Sequence, residues 1–193
     1  MTEKWKDILS PWLGDSNVIP NPVPDVPVSS ERERKSFLLM GRSSPMKGQD
    51  IAIEAIRILR SQGVEVTLHL AGFEHTEPGI IGHGWVSGET KERLMSSCGT
   101  LLSPSKWEGL SMSVIEAMAR GMPVLASSAS QDAFERSGRV VELNARAFSE
   151  AMLEMMSGAS WQNMADAGPG EAEQYRLANV TPQWGLVYDE VIV

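Results

Sequence analysis

The sequence predicts an α/β fold in which a parallel sheet carries helices on both faces. Three observations lead to this prediction: short apolar segments that end in glycine or proline, amphipathic segments between them, and regular alternation of the two along the chain. Strands that alternate with helices imply a parallel sheet with right-handed crossovers. Ligands of such sheets bind beyond the carboxyl ends of the strands, so function is sought in the loops at that edge.

The individual elements follow from periodicity. Residues 37–41 form a continuous apolar run that ends in a glycine, which is typical of a buried parallel strand. Residues 50–60 place Ile51, Ala55, Ile58 and Leu59 on one helical face, and Gly63 ends that helix. Further strands are predicted at 64–71, 80–86, 100–103, 123–126 and 139–143, and further helices at 89–97, at 111–120, from 145 onward and at 181–193.

The two ends of the chain differ from this central pattern. Residues 2–9 are predicted to form a short helix that Pro11 stops, and the prolines between 18 and 27 fix an extended connector. We therefore divide the chain into residues 1–30, a helix and a proline-rich connector; residues 31–178, a Rossmann-like domain; and residues 179–193, a C-terminal helix.

Composition narrows the class of protein. The length of 193 residues suits one α/β domain with appended segments, and the formal net charge of −8 argues against a general nucleic-acid binder. Cys98 is the only cysteine, so no intrachain disulfide can form and a reducing compartment is expected. Neither a signal peptide nor a transmembrane segment is predicted. We expect a cytoplasmic protein, for which peripheral contact with a membrane remains open.

The loop after the first predicted strand carries two cations. Gly41 to Gly48 matches neither the dinucleotide-binding glycine pattern nor the P-loop, which disfavours NAD enzymes and P-loop NTPases. Instead Arg42 and Lys47 flank the loop just before a helix, and both side chains pair well with phosphate oxygens. Two solvated surface charges would give the same pattern, so this loop alone leaves both interpretations open.

The most informative segment runs from Leu101 to Val124. A strand ends at Pro104, Glu108 follows in the loop, Gly109 allows close backbone approach, and the next helix directs its amides toward the same crevice. Glu116 lies on that helix, where a carboxylate can accept hydrogen bonds from vicinal hydroxyls. Each glutamate has a simpler interpretation: Glu108 as a solvated loop carboxylate, and Glu116 as the second half of a capping box.

Together these residues resemble a known family. Glu108 and Glu116 look like the E-x7-E motif of the retaining GT-B glycosyltransferases of family 4 (group 1), and the residues around both glutamates are similar to that family. The segment from Gly41 to Gly48 resembles its diphosphate loop, and His83-Gly-Trp-Val86 resembles the lining of its base pocket. The resemblance covers about residues 18–143 and implies a single Rossmann-like C-terminal domain of the GT-B fold.

The resemblance also implies roles for individual residues. Arg42 and Lys47 would hold the donor diphosphate, Glu116 would bind the ribose, and Glu108 would contact the transferred sugar. The base would meet the backbone of Val86. Catalysis is thus assigned to Glu108, Arg42 and Lys47. The full set expected to bind the donor is Gly41, Arg42, Lys47, Val86, Lys91, Glu108, Gly109, Leu110, Ser111 and Glu116.

The expected reaction is hexosyl transfer from a nucleotide sugar of the UDP or GDP type to a glycan, lipid or small-molecule acceptor. No Asp-x-Asp motif is present, and the cations can stabilise the leaving diphosphate, so neither metal nor cofactor is expected. In the family a further N-terminal domain supplies the acceptor site and often a catalytic histidine; His69, His75 and His83 lie within the donor-domain pattern and receive no such role. The resemblance thus implies an enzyme that is incomplete without such an acceptor domain, as a separate partner or a missing part, toward which the helix at 179–193 would pack. The alternatives are a free-standing nucleotide-sugar-binding module and an epimerase-like enzyme.

Overall fold

The computed structural model describes residues 2–14 and 16–191, and the side chains of that part except those of residues 190 and 191. Seven strands form one sheet: β1 Glu33–Met40, β2 Thr67–Ala71, β3 Thr76–Glu77, β4 Ile80–Gly82, β5 Cys98–Ser103, β6 Val124–Ala126 and β7 Gly138–Val140. The helices are α1 Glu3–Leu13, α2 Gln49–Ser61, α3 Gly88–Ser97, α4 Met112–Ala119, α5 Ala145–Ser157, α6 Ser160–Ala172 and α7 Leu177–Val191. Two 3-10 helices, Ser128–Ala133 and Glu173–Tyr175, complete the elements.

The sheet has the order β3-β4-β2-β1-β5-β6-β7, and all its pairs are parallel except β3 with β4. Strands that are apolar throughout predict a sheet with helices on both faces, because neighbouring side chains of a strand point to opposite faces and both faces must then be covered. Phe37 and Leu39 of β1 pack with α2 and α5, whereas Leu38 between them packs with α3 and α4. The predicted α/β fold, with a Rossmann-like parallel sheet between two helical layers, is confirmed.

The first helix runs past the predicted stop at Pro11 and ends at Leu13. A proline inside a helix removes one backbone donor, and here the carbonyl of Asp7 would lose its partner. The hydroxyl of Ser10 donates to that carbonyl at 3.0 Å, which compensates for the missing bond. Because Gly14 then closes the helix with a bond to the carbonyl of Ser10, the prediction of an end near residue 9 is wrong.

The boundaries of one further strand and of the C-terminal helix also differ from the prediction. The strand predicted at 80–86 ends at Gly82, because Gly84 adopts a left-handed backbone with φ of 58° and turns the chain out of the sheet. The two-residue strand β3 precedes it and was not predicted, since so short a segment shows no alternation. The C-terminal helix begins at Leu177, earlier than the predicted 179–181, and the last two residues of that prediction lie outside the described part.

No helix in the described part of the chain combines the length and apolar character that a membrane crossing requires.

Candidate functional site

A cleft of about 530 Å³ opens at the carboxyl edge of the sheet, where the general rule for parallel sheets places ligands. Its floor comes from the ends of β1 and β2, at Met40, Gly41, Ala71 and Gly72. The loop after β5 and the first turn of α4 form the opposite wall. The sequence thus leads to the correct edge of the sheet, and the described structure places a cleft there.

The loop after β1 is held in place by close contact with the loop after β5. Gly48 has a φ of 65°, and a Cβ added there would lie 2.0 Å from the carbonyl oxygen of Pro104. The backbone amide of Lys106 donates to the carbonyl of Met46 at 2.8 Å, which ties the same two loops together. Gly48 therefore meets two requirements at once, a left-handed backbone and the close approach of another chain segment.

Lys47 and Glu108 form an ion pair inside the cleft. The Nζ atom of Lys47 lies 2.6 Å from Oε1 of Glu108, and the hydroxyl of Ser105 donates to the same oxygen at 2.7 Å. The carboxylate side chain of Glu108 is only 10% exposed. The alternative interpretation of Glu108 as a solvated loop carboxylate is therefore not what the structure contains, and Lys47 is not a solvated surface charge.

A second ion pair lies at the other side of the cleft. The Nζ atom of Lys91, on α3, lies 2.7 Å from Oε1 of Glu116, whose side chain is 15% exposed. That capping box needs Ser113 at the N-cap, but α4 begins at Met112, so Ser113 lies inside the helix and its hydroxyl contacts that of Ser111 at 3.2 Å. Glu116 therefore does not close a capping box, and its carboxylate faces the cleft together with a lysine.

Nine of the ten predicted donor-binding residues line this cleft: Gly41, Arg42, Lys47, Val86, Lys91, Glu108, Leu110, Ser111 and Glu116. Arg42 is exposed at the rim, and its backbone carbonyl accepts a hydrogen bond from Gln49 at 2.8 Å. Gly109 lies in the same loop but does not line the cleft, and a Cβ built on it contacts nothing within 4 Å. The fold itself therefore does not require a glycine at 109.

The structure adds residues that the sequence did not single out. Trp85 lines the cleft next to Val86 with 84% of its surface exposed, a state that is unusual for so large an apolar ring. Trp5 of α1 donates from its indole nitrogen to the carbonyl of Glu108 at 2.9 Å and packs edge-on against Trp107. Trp85 lies within the segment that resembles the base pocket, so its position was a usable signal, whereas nothing in the sequence connects Trp5 to Glu108.

The cleft combines two lysines, an arginine, two carboxylates and the beginning of a helix. Lysine and arginine side chains with helix-terminal amides suit phosphate oxygens, and carboxylates suit the hydroxyl groups of a sugar. In the part of the chain that the structure describes, no group of three or more His, Cys, Asp or Glu residues is arranged to hold a metal ion. The arrangement fits an elongated ligand with anionic groups at one place and hydroxyls at others.

A histidine pair supports the segment that carries Trp85 and Val86. Nδ1 of His69 lies 2.9 Å from Nε2 of His83, and the rings stack with centroids 5.2 Å apart. Burial lowers the pKa of His69 below its usual 6.5, and the charges of His83 and Arg93 lower it further. Burial and then Arg93 likewise lower the pKa of His83. The neutral forms are thus favoured in the folded protein.

This pair predicts that stability falls on acidification. Below the unfolded pKa of about 6.5 the unfolded chain binds protons that the folded pair resists, so the contribution is complete above that pH and is lost as the pH falls below it. We expect the melting temperature to drop by a few degrees between about pH 7.5 and about pH 5.5. The His83→Gln variant should show a smaller drop, and an equal drop in both proteins would contradict this account.

Comparisons with known proteins identify the kind of domain. The family described as glycosyl transferases group 1 matches residues 34–158. An O-antigen chain mannosyltransferase B of Escherichia coli is 31% identical over 104 residues, which are 52% of this chain and 27% of that protein. An uncharacterized 41.2 kDa protein in the cps region of Klebsiella pneumoniae is 27% identical over 105 residues, which are 51% of this chain and 29% of that protein. The matched segment thus spans less than a third of the length of these relatives.

Solved structures show the same fold. A sucrose-phosphate synthase from Thermosynechococcus elongatus superposes with a TM-score of 0.81 at 20% identity, over 100% of this chain and 57% of that one. A mutant of S. aureus TarM, in complex with Fondaparinux, alpha-GlcNAc-glycerol and UDP, gives 0.83 at 19% identity over 95% of this chain and 42% of that one. At these identities the likeness shows the fold alone, which is that of GT-B glycosyltransferase domains.

Proposed function

This chain belongs to the group 1 glycosyltransferases, and we propose that it provides the donor-binding half of a retaining enzyme of glycosyltransferase family 4. Its substrate would be a hexose activated by UDP or GDP. One observation carries the proposal: two ion pairs, Lys47 with Glu108 and Lys91 with Glu116, line the same cleft at the carboxyl edge of the sheet. The two glutamates have the spacing of the E-x7-E motif.

The diphosphate of the donor would lie between the cations and the start of α4. Lys47 reaches into the cleft from one side, Arg42 stands at the rim, and the backbone near Leu110 and Ser111 leads into the helix. A helix N-terminus and positive side chains both favour an anion, and their effects add in a partly enclosed site. In this proposal these groups take the place of a metal ion.

The nucleoside would lie toward α3. Glu116 would accept hydrogen bonds from the vicinal hydroxyls of the ribose, while Lys91, whose Nζ atom lies 2.7 Å from Oε1 of Glu116, orients the carboxylate. The base would then reach the backbone of Val86, on the same wall as the exposed ring of Trp85. This placement orders the ligand along the cleft, from the base beside Val86 to the sugar beside Glu108.

Glu108 would bind hydroxyls of the transferred hexose. In the transfer, the acceptor hydroxyl oxygen forms a bond to the anomeric carbon while the bond between that carbon and the diphosphate oxygen breaks. The bonding electrons stay on the diphosphate oxygen, which takes up the hydroxyl proton. Arg42 and Lys47 stabilise the negative charge that develops there, and this contact is stronger in the transition state than in the bound donor.

Catalysis in this proposal also requires a second domain that faces the cleft. Large apolar side chains are exposed on α1 and α7, among them Trp12, Leu13, Trp184, Leu186 and Tyr188. Such surfaces are typical of interfaces with another domain or protein. The relation to a mannosyltransferase supports a hexose as the transferred group, with the chain itself supplying the donor site.

The proposed ribose contact can be tested with Glu116→Ala. We expect the wild-type chain to bind a ribonucleoside diphosphate about tenfold or more tightly than its 2′,3′-dideoxy analogue, because hydrogen bonds to a charged group contribute about 1.5–3 kcal/mol. The variant should bind both ligands with nearly equal, weak affinity. Calorimetric titration of the two proteins with the two ligands measures this difference directly.

Glu150→Ala serves as the matched control, because Glu150 lies on α5 with its side chain 64% exposed and pairs with Arg146 at 3.1 Å. This variant should retain the preference for the ribose. If Glu116→Ala retained the preference as well, the assignment of the ribose to Glu116 would be wrong.

A further inference from the structure

A second cleft of about 470 Å³ adjoins the donor cleft. The two share one lining residue, Leu110, in the loop between Glu108 and α4. The other walls come from the start of α1, the connector at Val18 and Pro20, the 3-10 helices after β6 and α6, and α7. Because Leu110 separates the two clefts, a ligand in the second one would lie beside the end of the donor cleft that carries Glu108.

The first helix forms a fixed wall of this second cleft. Trp5 donates its indole N–H to the carbonyl of Glu108 at 2.9 Å, and the hydroxyl of Thr2 donates to Asp132 at 3.3 Å. The rings of Trp5 and Trp107 meet edge-on with centroids 5.1 Å apart. These contacts join segments that lie more than a hundred residues apart in the sequence, and they fix the wall relative to the proposed sugar-binding loop.

The lining of the second cleft combines apolar residues with polar side chains that suit hydroxyl groups. Asp132 offers a carboxylate, and the amides of Gln174 and Gln183 donate to backbone carbonyls at 3.2 and 3.0 Å, which leaves their oxygens as acceptors for a ligand. Tyr175 adds a phenol, and its backbone carbonyl accepts from Val23 at 2.8 Å. Burial and the nearby charge of Asp132 raise the pKa of Tyr175, so its hydroxyl remains a donor at neutral pH.

The charges of this lining disfavour a strongly anionic ligand. Glu3 and Asp132 are negative and Lys4 is the one cation among the described lining residues, so a phosphate or sulfate group would meet net repulsion. Carboxylate, amide and phenol groups are instead the side chains that exchange hydrogen bonds with the hydroxyls of an uncharged saccharide. The chemistry of the cleft thus points to a neutral, hydroxyl-rich ligand.

We propose that this second cleft binds the acceptor of sugar transfer, as an uncharged saccharide whose reacting hydroxyl approaches the donor sugar past Leu110. The inference rests on the proposed function, since an acceptor subsite has meaning only beside a donor site. The saccharide hydroxyl oxygen then forms the bond to the anomeric carbon described above, and its proton goes to the departing diphosphate. The donor half would thus itself carry part of the acceptor specificity.

The test titrates the chain, saturated with a nucleoside diphosphate, with mannobiose and with diacetylchitobiose, and follows chemical shifts by NMR. We expect weak binding with shifts at Tyr175 and Leu110. Asp132→Asn and Gln174→Ala should weaken it at least about fivefold, in line with the loss of one hydrogen bond. Gln162→Ala, on an exposed turn of α6, is the control and should bind like wild type. A sulfated disaccharide should bind more weakly than the neutral ones.

The results separate this inference from the function on which it rests. If the nucleoside diphosphate binds but the disaccharides do not, or if the cleft variants bind them like wild type, the second cleft is not an acceptor subsite and the donor site stands. A sulfated disaccharide that binds best would also overturn the inference. If a folded chain binds neither nucleotide nor saccharide, the proposed function fails as well.

Discussion

Replacing Gly48 with alanine is expected to lower the free energy of unfolding by about 3 kcal/mol or more. Two penalties combine at this position. A side chain at a φ of 65° is strained, and its Cβ would lie 2.0 Å from the carbonyl oxygen of Pro104, which is backbone and cannot rotate away. To relieve the contact, the loop after β1 must move away from the loop after β5.

The comparison with Gly63→Ala separates the two penalties. Gly63 has a φ of 79°, and a Cβ built there meets nothing within 4 Å. That variant should lose only about 1 kcal/mol, the cost of the left-handed backbone alone. Equilibrium unfolding in urea measures both values, provided that the dependence on denaturant stays the same. Equal losses in the two variants would mean that the contact with Pro104 does not restrain the loop.

The second large effect is expected in ligand binding. Lys47→Met should weaken the binding of a nucleoside diphosphate about 10- to 100-fold, because one charge-assisted contact is lost, which costs about 1.5–3 kcal/mol. The substitution also leaves the carboxylate of Glu108 without the cation 2.6 Å away, so a second negative group would face the phosphates. Methionine keeps the length of the side chain and changes mainly the charge.

Lys35→Met is the matched control for this variant. Lys35 is exposed and lies near the start of β1, at the opposite end of the strand from the cleft. Affinities measured by calorimetry at low and at high salt should fall with salt in wild type and in Lys35→Met, and less steeply in Lys47→Met. If Lys47→Met bound the diphosphate as tightly as Lys35→Met, the diphosphate would not lie beside Lys47.

The sequence predicted the fold well because its strongest signals are local. The run from Phe37 to Met40 is apolar on both faces, which is the pattern of a strand buried between two helical layers. Where tertiary contacts compensate for a local signal, the prediction was wrong. Pro11 did not end α1, because Ser10 satisfies the carbonyl that the proline leaves free.

The sequence led to the residues that line the candidate cleft, but not to the pairs that they form there. Arg42, Lys47 and Glu108 were expected at the carboxyl edge because each lies in a loop after a predicted strand, and Glu116 because it lies on the helix that the second loop leads into. Lys47 pairs with Glu108, which is 61 residues away, because the loops after β1 and β5 lie against each other. Gly48 permits this close contact between the two loops. The contact of Trp5 with the carbonyl of Glu108 spans 103 residues and has no local signature.

The proposed function requires that the cleft at the carboxyl edge bind the nucleoside diphosphate part of a sugar donor. The most direct measurement is calorimetric titration of the wild-type chain with UDP, GDP and ADP, each with and without EDTA. We predict that UDP or GDP binds with one site per chain, with the same affinity in EDTA, and that Arg42→Ala weakens the binding. A folded chain that binds none of the three diphosphates, or an Arg42→Ala variant that binds like wild type, would contradict it.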